Sequence, residues 1–365
     1  MDRSTIDAYE LGARRWRDHR PARFLDRVAT FGAAVRDEGI IADLGCGAGL
    51  HLPELADHVN GSLVALDATA AMLDLVPQIA PGAWRVRGDL EHLPFRRGAL
   101  DGVWARASYL HVPRTHLPLA LADLHHALAV DAPAHLTMMR KHADGPMADD
   151  ALPGRQFVSW EPDPLRAVLV GAGFDVVSVE IDPDEEVWVH AMVRRAHTLP
   201  DFVGANMRLL VIGLNPSVLS ADVGVGFARN GNRFWPAALA AGIVSRDRDP
   251  HHALAHHGVG MTDLVKRATA RADELSNDEY RDGAARVERL VEWLQPGAVC
   301  FVGLGGYRVA VDRKATSGVQ PERFGGVPAY VMPNTSGLNA RVPPSELTDH
   351  LRNAAVLADE SRVSR

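Results

Sequence analysis

The stretch Leu209 to Ser217, LLVIGLNPS, decides the fold of the second half of this 365-residue chain. Its four consecutive apolar residues, Leu209 to Ile212, predict a strand of a parallel sheet, because such strands are buried on both faces. Gly213 and the Asn215-Pro216 pair predict a turn at the carboxyl end of that strand. Ligands bind at this edge of open α/β sheets, so we expect a binding site here.

A second stretch, Gly224 to Trp235 (GVGFARNGNRFW), brings aromatic residues close to this turn. The two stretches together predict a pocket with aromatic walls and one polar group, the carboxamide of Asn215. A carboxamide cannot take a proton as aspartate does, but it can hold a water molecule by accepting one hydrogen bond and donating another. Taken alone, Asn215 also fits a purely structural role in capping the turn.

Four motifs, in order, resemble the mismatch-specific uracil/thymine DNA glycosylases of the uracil-DNA glycosylase superfamily, over roughly residues 198–357. They are GLNP at Gly213–Pro216, NRFW at Asn232–Trp235, GMTDLVKRATARADELS at Gly260–Ser276 and MPNTSGLNAR at Met332–Arg341. The resemblance implies an α/β/α domain with a short parallel sheet that swings a nucleotide out of double-stranded DNA. It implies no cofactor for this half.

The resemblance also implies a role for each motif. Asn215 would position the attacking water, and Phe227 would stack on the flipped base. The base pocket would be formed by Gly213, Leu214, Pro216, Ser217, Phe227 and Asn232. The DNA wedge and phosphate contacts would come from Asn334, Ser336, Gly337, Leu338, Asn339 and Arg341.

Departures from the family pattern narrow the expected activity. The faster uracil-specific relatives carry Asp and His where this chain has Asn215 and Asn334, which predicts slow turnover on bases that flip easily or leave readily. Ser217 replaces a glycine and could restrict the base admitted, and Thr335 replaces a proline. We therefore expect a monofunctional glycosylase that removes uracil, and also thymine or a damaged pyrimidine, mispaired with guanine.

The first half is organised around a glycine-rich loop after an apolar strand, IIADLGCGAGL at residues 40–50. Asp43, Gly45, Gly47 and Gly49 form the pattern D-x-G-x-G-x-G, and its glycines let the backbone approach a ligand closely. Asp67 follows at the end of a second strand, where a carboxylate can accept both ribose hydroxyls. Asp89, with Leu90 beside it, is placed to read an adenine amino group.

This pattern resembles class I S-adenosylmethionine-dependent methyltransferases over about residues 5–195. The resemblance implies a Rossmann-like sheet of seven strands that binds S-adenosylmethionine through the glycine loop, Asp67, Asp89 and Leu90. Residues 3–37 predict a helical lid or packing segment ahead of the first strand. The loop after the fourth strand reads WARASYLHV and lacks the motif of DNA amino-methyltransferases. We therefore expect a small molecule or a protein, still unknown, as the methyl acceptor.

Length and charge favour two domains, which we place at residues 1–197 and 198–365. The first carries 20 basic and 28 acidic residues, and the second 19 and 18, so only the second has a balance suited to DNA. Two cysteines exclude a disulfide framework, and no apolar run is long enough for a membrane span. We expect a cytoplasmic monomer without membrane contact, whose partner is double-stranded DNA with G:U or G:T mismatches.

A metal site and two other functions are the alternatives to this interpretation. The histidines at 251, 252, 256 and 257 lie at helical spacing, but neither an acid nor a cysteine nearby completes a site, so we expect no metal. The second half could be a DNA-binding module without catalysis, attached to a methyltransferase. The first half could be only a ligand sensor.

Overall fold

A computed structural model describes residues 1–337, 339 and 341–363 of the chain. The chain divides into two compact units, Met1–Ala196 and His197–Arg365, each with its own sheet. Across these described ranges, no helix combines the length and the apolar content needed to cross a membrane.

Unit 1 (Met1–Ala196) is built on a sheet of seven strands. These are β1 Ile40–Leu44, β2 Ser62–Asp67, β3 Trp84–Arg87, β4 Gly102–Arg106, β5 Pro133–Met139, β8 Phe174–Ile181 and β9 Trp188–Arg195. Their order is β3-β2-β1-β4-β5-β9-β8, and β9 runs in the direction opposite to the other six. The seven-stranded, Rossmann-like prediction is confirmed. Two further short strands, β6 Gly145–Pro146 and β7 Gln156–Phe157, form a separate hairpin.

The α-helices of unit 1 precede the first strand or connect later strands. They are α1 Arg3–His19, α2 Leu25–Gly32, α3 Leu52–His58, α4 Ala70–Leu73, α5 Leu117–Ala127 and α6 Pro162–Gly171. The helical segment predicted over residues 3–37 is therefore two helices. The break contains Pro21, and Phe24 immediately before α2 has a left-handed φ of 62°. Proline disfavours helix at the preceding residue, which explains where α1 ends.

Unit 2 (His197–Arg365) has a sheet of five strands in the order β11-β10-β12-β14-β13. The strands are β10 Leu209–Gly213, β11 Val259–Asp263, β12 Ala298–Val302, β13 Gly318–Val319 and β14 Ala329–Met332, with only β13 antiparallel. In the described part of unit 2 the α-helices are α7 Val218–Val223, α8 Phe234–Ala241, α9 Pro250–His257, α10 Asn277–Leu294, α11 Leu304–Ala310 and α12 Pro344–Val363. Every residue of β10 is buried, as the apolar run predicted.

Strand order fixes where each unit can bind a ligand. In unit 2 the chain passes from β10 to β11 on one side and later to β12 on the other. In unit 1 it passes from β1 to β2 on one side and later to β4 on the other. The carboxyl ends of β10 and β1 therefore lie at topological switch points, where loops part and leave a crevice.

Candidate active sites

The candidate site of unit 2 is a cavity of about 660 Å³ at this switch point. Val302 at the end of β12 contributes to its wall, which places the cavity at the carboxyl edge of the sheet. The predicted residues that line the cavity are Leu214, Asn215, Ser217, Phe227, Asn232, Asn334, Ser336 and Asn339. Three segments far apart in sequence thus meet here.

The side-chain amide of Asn215 has one defined orientation. Its Nδ2 lies 2.8 Å from Thr269 Oγ1, 3.0 Å from the Arg267 carbonyl and 3.1 Å from the Pro216 carbonyl. The Thr269 hydroxyl donates its own hydrogen to the Arg271 carbonyl, so it accepts from Asn215. All three neighbours of Nδ2 are acceptors, and Oδ1 is left without a partner among the residues that the structure describes.

This geometry changes the expected role of the amide. We predicted that Asn215 would both accept from and donate to a water molecule, but its N–H groups are already used by the protein. Only Oδ1 remains, so the side chain can accept a hydrogen bond from a ligand and cannot readily donate one. Thr269, which fixes this orientation, lies in the GMTDLVKRATARADELS motif but was not assigned a role from sequence.

Gly213 and Pro216, predicted as base-pocket residues, lie behind the residues that line the cavity. Both are buried and neither lines the cavity. A Cβ atom on Gly213 would lie 2.3 Å from Asp263 Oδ1, so this position has no room for a side chain. Burial raises the pKa of Asp263 to about 6, with Asp201 adding to the rise and Lys266 opposing it.

The aromatic wall is fixed from the side away from the cavity. Phe227 stacks on buried Phe234 with ring centroids 4.2 Å apart and planes 21° apart. Phe227 has a φ of 57°, a left-handed conformation that is uncommon for bulky residues and commonly found at functional sites. Trp235 Nε1 donates to the Gly226 carbonyl at 2.9 Å, and Asn232 Oδ1 accepts from Phe234 N at 3.0 Å. These bonds tie the Phe227 loop to the start of α8.

Arg233 braces the loop that was predicted to enter DNA. Its guanidinium donates to the carbonyl oxygens of Ser336 at 3.2 Å, Asn339 at 2.6 Å and Val342 at 2.5 Å. Within the loop, Asn339 Nδ2 donates to the Asn334 carbonyl at 3.1 Å. The sequence motif NRFW was recognised, but its arginine was not assigned this role.

The other residues predicted for DNA contact, Gly337, Leu338 and Arg341, belong to the same stretch of sequence. Arg341 is exposed, while Gly337 does not line the cavity. A Cβ atom on Gly337 would lie 2.6 Å from the Gly231 carbonyl oxygen, so the close approach of the two backbones requires glycine. Leu338, predicted as the wedge residue, lies outside the described residues.

Ser217 lines the cavity, and its hydroxyl accepts from Ser220 N at 3.1 Å as the N-cap of α7.

A buried ionic cluster supports the sheet of unit 2. The carboxylate of Asp201 accepts hydrogen bonds from Thr262 Oγ1 at 2.6 Å, Lys266 Nζ at 2.7 Å and Arg286 at 2.8 Å. Burial alone would raise the pKa of Asp201, but the two cations hold it below its ordinary value. The cluster joins the segment before β10 to β11 and α10.

The candidate site of unit 1 is a cavity at the carboxyl ends of β1 and β4. Asp43, Gly45, Gly47, Asp67 and Leu90 line it, as predicted, while Gly49 does not. The three glycines have φ values of 73°, 55° and 86°, which only glycine adopts easily. The glycine pattern therefore forms the tight loop expected, and Gly49 serves its bend rather than the cavity wall.

Asp67 holds the glycine loop in place. Its Oδ2 accepts from Gly47 N at 2.9 Å, and its Oδ1 accepts from Thr69 N at 2.9 Å and from Thr69 Oγ1 at 2.7 Å. Burial raises the pKa of Asp67, and these donors oppose the rise. The carboxylate is thus anchored at the cavity edge where the ribose contact was expected.

Asp89 does not line the cavity, contrary to its predicted role in reading adenine. Its Oδ2 accepts from the Met1 amino group at 2.8 Å, and its Oδ1 accepts from Glu91 N at 3.0 Å. Gly88 and Leu90, on either side of it, do face the cavity. The chain turns at this point, where His92 N donates to the Asp89 carbonyl at 3.1 Å.

Two charged side chains in this cavity lack partners within the described part of the chain. They are Asp43, through Oδ2, and Arg106, through Nε and Nη2. Burial raises the pKa of Asp43 to about 8, and Asp67 adds to the rise. Burial also lowers the pKa of Arg106 to about 10. A protonated acid and a cation that are buried without partners are suited to a ligand that offers polar or charged groups to both.

In the described residues, no three or more His, Cys, Asp or Glu side chains are grouped so that they could hold a metal ion. Both cysteines, Cys46 and Cys300, are free and buried.

Comparison with known proteins assigns a family to each unit. A family model for a "Methyltransferase domain" matches residues 41–131, and one for the "Uracil DNA glycosylase superfamily" matches residues 200–354. Among solved structures, the chain is similar to an S-adenosylmethionine dependent methyltransferase from Mesorhizobium loti, with 19% identity, 47% of this chain and 100% of that chain covered and a TM-score of 0.41. A SAM dependent methyltransferase from Aquifex aeolicus has 16% identity, 54% and 100% coverage and a TM-score of 0.41.

A third similar structure is the 1,6-didemethyltoxoflavin-N1-methyltransferase of Burkholderia thailandensis with bound 1,6-didemethyltoxoflavin and S-adenosylhomocysteine, at 16% identity, 52% and 85% coverage and a TM-score of 0.42. The two family matches agree with the resemblances of the two halves. The chain therefore carries a methyltransferase domain followed by a domain of the uracil DNA glycosylase superfamily.

Proposed function

We propose that unit 2 is a monofunctional DNA glycosylase that hydrolyses the N-glycosidic bond of uracil mispaired with guanine, and also accepts thymine or a damaged pyrimidine there. The single observation that supports this most is the unpartnered Oδ1 of Asn215 in a cavity of about 660 Å³. An acceptor oxygen at that place can hold a water molecule and orient its lone pair toward a sugar carbon. Thr269 keeps the amide from turning over.

In this proposal the water oxygen forms a bond to the glycosidic carbon as the carbon–nitrogen bond breaks. The electron pair of that bond leaves with the base, and the water proton passes to solvent. Asn215 takes no proton, so the reaction depends on a base that leaves readily as an anion. Uracil opposite guanine suits such a site, because a mismatched base also costs less to extrude.

DNA contact is proposed on the same side of unit 2. The face of Phe227 that is not stacked on Phe234 is available to a flipped base. The loop braced by Arg233 would enter the gap in the duplex, and exposed Arg341 would contact a phosphate. Arg229, exposed at the cavity, adds a second cation on this side.

The test is excision of uracil from a labelled duplex with one G:U pair, under single-turnover conditions. Asn215→Ala should reduce excision by about 100-fold or more, as removal of a water-positioning group does. Asn277→Ala, at an exposed asparagine of α10, is the matched control and should excise at the wild-type rate.

The alternative, a DNA-binding module without catalysis, is favoured by one observation: all donors of the Asn215 amide cap the protein's own turn. In that case the wild-type chain would bind the mismatched duplex without releasing uracil. Equal residual cleavage by wild type and Asn215→Ala would likewise remove the catalytic role and leave Asn215 as a structural residue.

We propose that unit 1 binds S-adenosylmethionine and methylates a small molecule or a protein. When bound, this molecule supplies a methyl group on a positively charged sulfur. The residues present fit it: Asp43, protonated in the unit alone, can ionise beside a bound cation, Arg106 suits a carboxylate, and the glycine loop offers close backbone approach. Asp67 lies at the cavity edge where ribose hydroxyls are expected.

Calorimetry with S-adenosylhomocysteine tests this half. The full chain should bind it, and Asp67→Asn should weaken binding because the carboxylate anchors the loop as well as the ligand. Absence of binding to the wild-type chain would refute the proposal for unit 1. Binding without transfer to any acceptor would instead favour a ligand sensor.

A further inference from the structure

A second cavity in unit 1, of about 320 Å³, lies next to the first. Tyr9, Trp16, Arg20, Ala107 and His111 line both this cavity and the first one. Two molecules bound in the two cavities would therefore meet at these shared residues. That is the arrangement that transfer of a group between them requires.

The wall of the second cavity combines aromatic and charged side chains. Trp16, Phe157 and Trp188 contribute rings, and Met139 and Met147 contribute thioethers. The charged residues are three arginines, Arg20, Arg23 and Arg155, and three acids, Asp149, Asp150 and Glu185. The rings favour a planar aromatic ligand, and the volume suits one or two fused rings.

A chain of hydrogen bonds ends in this wall. His111 Nδ1 lies 2.6 Å from the Gln156 carbonyl, which can only accept, so Nδ1 carries the hydrogen. Nε2 is then an acceptor, 2.9 Å from the Tyr9 hydroxyl that donates to it. Arg155 donates to the Tyr9 oxygen at 2.8 Å and is itself held by Asp150. The Tyr9 oxygen keeps one lone pair for a further donor.

An unpaired cation lies beside this chain. The Arg20 guanidinium stacks over Trp16 at 4.2 Å from the ring centroid and has neither a hydrogen bond nor an ion pair with any described residue. Arg106, also unpaired, lines only the first cavity. S-adenosylmethionine carries a single carboxylate, which can neutralise one of these two cations. The other can then bind an anionic group on a second ligand.

We propose that the second cavity binds the methyl acceptor, a planar aromatic small molecule that carries a carboxylate and a nucleophilic hydroxyl or ring N–H group. Arg20 binds the carboxylate, and Tyr9 and His111 take up the proton of the nucleophile. Arg155 is a positioning residue that holds the Tyr9 oxygen. This inference rests on the methyl transfer proposed above for unit 1.

The step balances in atoms and charge. The acceptor oxygen or nitrogen forms a bond to the methyl carbon, the carbon–sulfur bond breaks, and its electron pair stays on sulfur. The acceptor proton moves to the Tyr9 oxygen as the Tyr9 proton moves to His111 Nε2. The positive charge lost at sulfur thus passes to the imidazolium of His111, whose Nδ1–H remains bonded to the Gln156 carbonyl. Because burial lowers the pKa of His111 to about 4, this proton is then released to solvent.

Binding of probes to the full chain tests the substrate class without turnover. Hydroxynaphthoate, naphthol and a lysine-containing peptide are titrated by calorimetry in the presence of S-adenosylhomocysteine. Hydroxynaphthoate should bind about tenfold or more tightly than naphthol, the usual effect of one hydrogen-bonded charge. Arg20→Gln should abolish that difference and leave naphthol binding unchanged.

Tyr9→Phe and Tyr109→Phe form a matched pair for the proton path. Tyr109 is fully buried and its hydroxyl has no partner in the described chain, so its removal should change nothing. Tyr9→Phe should reduce kcat for methylation of hydroxynaphthoate by about 100-fold with KM nearly constant. Nitrogen NMR of the histidine rings should show the Nε2 signal of His111 shifting in Tyr9→Phe alone.

The outcomes separate this inference from the function on which it rests. If S-adenosylhomocysteine fails to bind, the methyltransferase proposal itself fails. If it binds, but hydroxynaphthoate does not or the peptide binds better, the aromatic-acid acceptor is wrong. Equal kcat in Tyr9→Phe and wild type would refute the proton path.

Discussion

Mild acid should unfold unit 1 at a higher pH than unit 2, because unit 1 buries four neutral histidines. Burial lowers the pKa of His51, His111 and His190 to about 4, and that of His135 well below its ordinary value. In the unfolded chain these groups bind protons near pH 6.5. Their stabilising contribution is therefore complete above about pH 6.5 and is lost as the pH falls toward about 4.

The structure also gives the size of the effect. A folded-state pKa of about 4 instead of 6.5 changes the free energy of unfolding by about 3 kcal/mol. The histidines with a pKa of about 4, His51, His111 and His190, therefore contribute about 10 kcal/mol together. Asp43 has the opposite effect, because its pKa of about 8 leaves it protonated in the folded unit. As the pH falls over the same interval, Asp43 raises the free energy of unfolding by about 3 kcal/mol. The net loss of about 7 kcal/mol is comparable with the whole stability of a typical domain.

Hydrogen exchange measured by mass spectrometry on the full chain can follow each unit separately. Peptides from β1, β4 and β5 should lose protection between about pH 6.5 and 4.5, before peptides from β10 and β12. His135→Phe should make this loss shallower. Its ring would keep the stacking on Trp104, where the histidine ring lies 4.3 Å away, and would remove two buried nitrogens without partners among the described residues.

His92→Gln, at an exposed histidine, is the control and should behave as wild type. Equal free energies of unfolding for unit 1 at about pH 5 and pH 7 would refute the reasoning. The same conclusion would follow if His92→Gln flattened the pH dependence as much as His135→Phe does.

Three further predictions concern unit 2. Thr269→Val removes the hydroxyl that orients the Asn215 amide, and uracil excision in a single turnover should fall by about 100-fold, as misplacement of a positioned group commonly causes. Asp201→Asn leaves two buried cations without their carboxylate and should lower the free energy of chemical unfolding by about 3 to 5 kcal/mol. Because the pKa of Asp263 is raised, the free energy of unfolding of the wild type should fall as the pH rises from about 4 to about 6. Asp263→Asn should remove this fall and stabilise unit 2 at pH 7 by up to about 3 kcal/mol. Denaturant titration at several pH values measures both effects.

Each of these has a control in the chain. Thr316→Val, at an exposed threonine, should leave excision unchanged, and Asp349→Asn breaks only an exposed ion pair with Arg352, with an expected cost under about 1 kcal/mol. An excision rate of Thr269→Val equal to wild type would show that the amide needs no brace. A pH profile unaltered by Asp263→Asn would assign the effect to another group.

Sequence predicted the parts of this protein that depend on local pattern. The apolar run at Leu209–Ile212 predicted β10 and its burial, and the glycines after Asp43 predicted a loop at the end of β1 that a ligand can approach closely; in the structure these glycines have positive φ. Both signals work because strand burial and positive φ restrict the residue types at single positions.

Contacts across the chain were not predictable in the same way. Asn215 and Thr269 are 54 positions apart, and Tyr9 and Arg155 are 146 apart. No periodicity or turn rule relates such pairs, because their distance depends on how whole strands and helices pack. Asp89 illustrates the same limit: its place in the motif order was recognised, but the direction of its side chain was not.

The Arg233 brace bears on how much unit 2 must reorganise when it meets DNA. One guanidinium at the start of α8 restrains three backbone carbonyls, so the cost in conformational entropy of ordering these parts of the loop is met during folding. A preorganised loop binds its target without that penalty. If a residue with one donor replaced Arg233, the loop would lose this conformational entropy on binding the duplex instead of during folding. Affinity for mismatched DNA would then fall even though no DNA-contacting atom had changed.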